Sequence, residues 1–125
     1  MKTMKRGLLV SVLLMPVITL SASCDRFYVG LYYWGAEVNA FQPCGSGKAY
    51  WVSASSWVLG PLKAYLQKHT SKPYRPVYIE MRGHLLDEKT DGFASQYDGL
   101  IRISEVISKD VEIPADCEQP EKAGS

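Results

Sequence analysis

Phe27-Tyr28-Val29-Gly30-Leu31-Tyr32-Tyr33-Trp34 is the stretch on which the fold turns. Both alternating sets in it are apolar: Phe27, Val29, Leu31 and Tyr33 on one side, Tyr28, Tyr32 and Trp34 on the other. A strand with one wet face shows a single apolar set. Two sets predict a long strand covered at least partly on both faces. Gly30 in its middle predicts a bulge or a sharp bend, which lets a sheet curl.

Downstream, Gly35-Ala36 turns the chain, and Glu37 to Cys44 alternates, with Val38 and Ala40 on one face and Glu37, Asn39 and Phe41 on the other. This second strand ends at Pro43. Gly45-Ser46-Gly47 makes a turn into a third, Lys48 to Ala54, and the three form an antiparallel meander. Then the period changes. Val58, Leu59, Leu62, Tyr65 and Leu66 have the spacing of one helical face. Ser55 and Ser56 offer N-cap oxygens, and Pro61 limits how early the helix begins, so it is predicted to start between 57 and 60 and to run to 68. Val77, Ile79 and Met81 mark a fourth strand that Gly83 bends. Residues 87–99 form a polar loop, and Leu100 to Ile107 is the fifth strand, with Ile101 and Ile103 inward. Five short strands with a helix between the third and fourth predict a mainly β domain, an OB-like Greek-key barrel. Closure disposes of the edge strands; an open sheet crossed by one helix is the rival.

Upstream, Lys2, Lys5 and Arg6 precede an apolar run from Gly7 to Leu20, and Ser21-Ala22-Ser23 follows. That order is a secretory signal peptide over residues 1–23, cleaved on export. The run is shorter than the roughly 20 residues that span a bilayer as a helix; an uncleaved anchor or a buried helix is the alternative. The folded domain is then 24–117, and the polar residues 118–125 make a disordered tail.

The chain of 125 residues has 14 basic and 13 acidic side chains. Loss of the three basic residues before Cys24 leaves 11 against 13, a net charge near −2. That balance gives no broad attraction for phosphate backbones and excludes general nucleic-acid binding. Cysteine parity is sharper. Cys24, Cys44 and Cys117 are an odd set, awkward in an oxidising compartment. Cys24 stands where a lipoprotein signal peptidase would leave it as the first, lipid-bearing residue. Cys44 and Cys117 then remain as a disulfide pair closing a loop of about 74 residues, worth roughly 4 kcal/mol. Ser21 occupies the position where such signals usually carry Leu, Val or Ile, and an ordinary signal peptidase would also cut before Cys24. A membrane-anchored lipoprotein facing the periplasm and a soluble periplasmic protein both stay open. Asp25 resembles the inner-membrane retention signal of lipoproteins in enteric bacteria.

Tyr28-Val29-Gly30-Leu31-Tyr32, Trp34-Gly35, Glu37-Val38 and Phe41-Gln42-Pro43-Cys44 resemble the C-terminal OB-fold domain of NlpE-like bacterial envelope lipoproteins. Ile101-x-Ile103-x-Glu105-Val106 fits that family's last strand more loosely. The resemblance implies an OB-like barrel in the cell envelope with a part in envelope homeostasis or stress sensing. The Cys-x-x-Cys motif linked to copper in that family lies in a separate domain and is missing here, so copper binding does not carry over.

No cofactor is expected. His69, His84 and Met81 do not fall at ligand spacing with the cysteines, so no metal site is expected. Ser53, Ser55 and Ser56 lack a Gly-x-Ser-x-Gly turn. Asp87, Glu88, Asp91 and Asp98 read as solvated charge rather than an acid–base pair or a calcium loop. A non-catalytic protein is the expectation. The aromatic residues carry the binding signal: Tyr50 or Trp51, whichever points outward, with Phe41 or its neighbours and Lys48 at the edge, forms the candidate face on strands two and three. A protein partner in the envelope is the first reading. An oligosaccharide is the second, and a small periplasmic inhibitor or immunity protein the third. Membrane contact runs through the lipid at Cys24.

Overall fold

The computed structural model describes residues 7, 9–17, 24–72, 75–88 and 90–117. The domain is mainly β: β1 (Arg26–Gly35), β2 (Val38–Pro43), β3 (Tyr50–Ser53), α1 (Ser56–His69), β4 (Val77–Leu86) and β5 (Leu100–Asp110). Two short 3-10 turns, Gly92–Gln96 and Ala115–Cys117, follow β4 and β5. Neighbouring strands run β1-β2-β3-β5-β4, and β4 pairs back onto β1, so the sheet closes on itself. All ladders are antiparallel except β3 with β5.

β1 explains its two apolar sets. Its first half pairs with β4 and its second with β2, overlapping at Gly30 to Tyr32. Inside, Tyr32 joins a core of Phe41, Val52, Leu59, Leu62, Leu66, Val77, Ile79, Met81, Ile101 and Ile103. Outside, Leu31 is buried as well. It lies beside Gln42 and Tyr78; the segment leaving β5 passes β4, where Ile113 and Pro114 line a cleft with Tyr78 and Glu80, and ends at the Cys44–Cys117 bridge. Burial, with Glu80 and Asp116 nearby, pushes the Tyr78 phenol above its ordinary pKa beneath this strap.

Gly30 is not a bulge. Its register is continuous with Pro43 and Ile79. A Cβ there would collide with the Gln42 carbonyl and come 2.7 Å from the Phe41 ring, so the position requires glycine for room. The bulges lie in β5, where the pairing with β4 skips Ser104 and Ile107. At Gly83, beside the first of them, a Cβ would strike the Arg102 carbonyl.

α1 begins earlier than its proline suggested. The Ser55 side chain caps the Val58 amide at 3.3 Å, and its carbonyl accepts from Val58 and Leu59. Pro61 is therefore the sixth residue, where its missing amide removes the bond to the Trp57 carbonyl. Trp57 is 89% exposed, so water can take that place. Leu59, Leu62 and Leu66 seal one end of the barrel.

In the turn between β1 and β2, Glu37 holds φ at 62°, a left-handed conformation that costs a residue with a Cβ about 1 kcal/mol. Glu37→Gly is expected to raise stability by about 0.5–1 kcal/mol, read as a shift of the urea midpoint.

Residues 9–17 carry no helix or strand and are exposed, adding nothing to the core. Among the described residues, no helix is long and apolar enough to cross a membrane. The proposed cleavage segment Ser21-Ala22-Ser23 and the tail 118–125 lie outside the described residues.

Candidate functional site

Cys44 and Cys117 are joined as a disulfide, and Cys24 is free and exposed. The bridge ties the end of β2 to the second 3-10 turn, and the Cys44 amide donates to the Val29 carbonyl at 2.9 Å. The strap is thus held at both its ends, by β5 and by the bridge.

Of the four residues proposed for a binding face, one points outward from the sheet. Trp51 pairs with Ala40, and both lie on the side opposite Phe41. Phe41 is 0% exposed and belongs to the core, which corrects its place on the face: its alternation partner Asn39 is also inward. Tyr50, opposite Phe41, packs against the same core and is likewise removed. Lys48 is exposed in the segment entering β3.

The register assembles something larger around Trp51. Tyr33 pairs with Ala40, Ala40 with Trp51, Trp51 with Leu100, and Leu100 with Leu86. Directly paired residues share a face. These five therefore make one apolar row across the outer surface of all five strands. Ala40 is 4% exposed because large neighbours flank it, while Tyr33, Trp51, Leu100 and Leu86 are half-buried.

Tyr97 adds a second ring, its centroid 5.5 Å from that of Trp51 and tilted by 58°. Its position comes from the backbone on either side. Asp98 accepts from the Ala49 amide at 2.8 Å through Oδ2 and donates its own amide to the Ala49 carbonyl at 2.9 Å; Trp51 donates to Gly99 at 2.9 Å. Asp98 is thus a structural acceptor that docks the loop onto β3. Arg102 and Ser53 border the rings, 3.5 Å apart.

Beneath the row, the Tyr32 hydroxyl donates to Asn39 Oδ1 at 2.5 Å, and Asn39 Nδ2 donates to the Val52 carbonyl at 3.2 Å. Burial drives the Tyr32 pKa far above the ordinary phenol value, so it stays a neutral donor. This chain links β1, β2 and β3 behind Trp51 and makes the platform rigid.

On another part of the outer surface, His84 Nδ1 lies 2.7 Å from Asp25 Oδ1. Hydrogen bonds from His84 and then Ser104 hold the Asp25 carboxyl below its ordinary 3.8. A lowered folded-state pKa stabilises above the ordinary carboxylate range, and that contribution is lost as pH falls through the lowered value. His84→Ala is expected to return the Asp25 titration toward 3.8, followed by NMR of its carboxyl carbon.

Among the described residues, no group of three or more His, Cys, Asp and Glu comes together. No buried side-chain nitrogen or oxygen among them lacks a partner. No family model, no curated protein and no solved structure matches the chain.

Proposed function

We propose that this chain is an exported, non-catalytic envelope lipoprotein whose OB-like barrel binds a protein partner through the row centred on Trp51. The observation that carries the compartment is the Cys44–Cys117 bridge. Paired thiols of this kind persist outside the reducing cytoplasm. Cys24, free, exposed and two residues before β1, then serves as the anchor point after cleavage. The strand order β1-β2-β3-β5-β4 with the helix between β3 and β4 supports the OB-like assignment, a fold that commonly binds through its second and third strands.

Trp51 with Tyr97 offers a rigid aromatic anchor at low entropic cost, the usual centre of a protein interface. The same ring pair, bordered by Arg102 and Ser53, favours a second reading, a cell-wall oligosaccharide stacked on Trp51. Trp51→Ala is expected to weaken partner binding by about 2 kcal/mol or more. Cross-linking and co-purification from membranes measure it, with unchanged circular dichroism as the fold control. If glycan fragments instead shift the Trp51 fluorescence and no protein is retained, the oligosaccharide reading replaces the first. Mass spectrometry of the mature N-terminus tests the anchor: an acylated Cys24 supports it, and an unmodified one removes it.

A further inference from the structure

Cys24 has almost no tether. One residue, Asp25, separates it from β1, a reach of about 3.5 Å. That residue is itself fastened, to His84 on β4 and to Ser104 in the β5 bulge. Any bilayer held at Cys24 therefore meets a particular side of the barrel rather than a freely rotating domain. Ser104 and its neighbour Glu105 line a cleft of about 250 Å³ whose other wall is Trp57, Val58 and Pro61.

Exposed apolar side chains lie along this route. Trp57 is 89% exposed, Phe27 58% and Ile107 44%. Phe27 pairs with Arg82, Arg82 lies 4.0 Å from Glu105, and Ile107 is the extra residue of the second β5 bulge. Around them Arg26, Arg82 and Lys109 are exposed, against the carboxylates of Asp25 and Glu105. Tryptophan with flanking cations is the composition that settles at a membrane interface.

We propose that the surface from Phe27 across His84 and Ser104 to Trp57 seats on an anionic phospholipid bilayer, with the indole of Trp57 at headgroup depth. The inference rests on the anchor at Cys24. It adds that the anchored barrel has a fixed orientation.

The test uses the full chain, purified from membranes of an expressing bacterium and reconstituted in phosphatidylethanolamine–phosphatidylglycerol vesicles carrying brominated phosphatidylcholine. Trp57 emission is expected to be quenched about twofold and blue-shifted. Trp57→Ser, at an exposed position that leaves the core intact, is expected to abolish the quenched component. A chain acylated at Cys24 and bound to vesicles, yet unquenched or equally quenched with Trp57→Ser, overturns the oriented face and leaves the anchor standing. An unmodified Cys24 on protein that stays off the vesicles overturns both, and mass spectrometry tells the two failures apart.

Discussion

Cys44→Ser with Cys117→Ser is expected to remove roughly 4 kcal/mol of stability. The bridge spans a sequence separation of 73, most of the folded domain, so its loss frees nearly the whole unfolded chain. A domain of this size has a total of about 5–15 kcal/mol. The melting temperature should fall by roughly 15 °C or more. Reduction of the native protein should reproduce the same urea midpoint as the double variant, because both act on one bond. The strap adds a local signature. With Cys117 released, the segment through Ile113 and Pro114 no longer has a fixed end over β4 and β1. Amide exchange should then quicken at Leu31 and Tyr78 before it does at Val52 or Ile101 in the barrel core. Equal stability with and without the bridge would remove the strap as a structural element.

Gly30→Ala is expected to cost about 3 kcal/mol. The sign is the informative part. On conformational grounds alone, alanine in a strand interior should stabilise by about 0.5–1 kcal/mol, since glycine has more freedom to lose. Here the new methyl meets the Gln42 carbonyl and sits 2.7 Å from the Phe41 ring, and β2 is held in register on both sides of that carbonyl. Phe41 is fully buried, so its ring has no empty volume to move into. Shortening the ring by Phe41→Leu should relieve part of the penalty in the double variant, giving a coupling of about 1 kcal/mol. The rest should persist, because the carbonyl belongs to the backbone. Urea unfolding of the two single variants and the double one measures all three terms. A neutral or stabilising Gly30→Ala would mean that β1 and β2 do not approach as closely as described.

Much of this fold was legible in local residue order, and the part that was not concerns pairing at a distance. The two apolar sets of residues 27–34, the meander that follows, the 3.6-residue spacing from Val58 to Leu66 and the alternation at Val77, Ile79 and Met81 each report on a neighbour within a few positions. Local sterics and solvent contact decide such features, so they can be read one segment at a time. Cysteine parity also sufficed for the bridge, since position singled out Cys24. From the sequence Gly30 predicts a bulge or a sharp bend, because a glycine in a strand has several uses, and only the Phe41 ring and the Gln42 carbonyl select close packing.

The candidate face shows the same divide. Alternation along β2 and β3 does not say which parity is inward; the closed sheet does, sending Phe41 and Tyr50 to the core and Trp51 out. Tyr97, Leu100 and Leu86 join Trp51 through the β3–β5 and β4–β5 pairings, across separations of more than 30 residues. Chemistry of the side chains determined the strands, the helix and the disulfide. Which of those side chains share a surface was decided only when the sheet closed, because closure assigns every strand one inside and one outside.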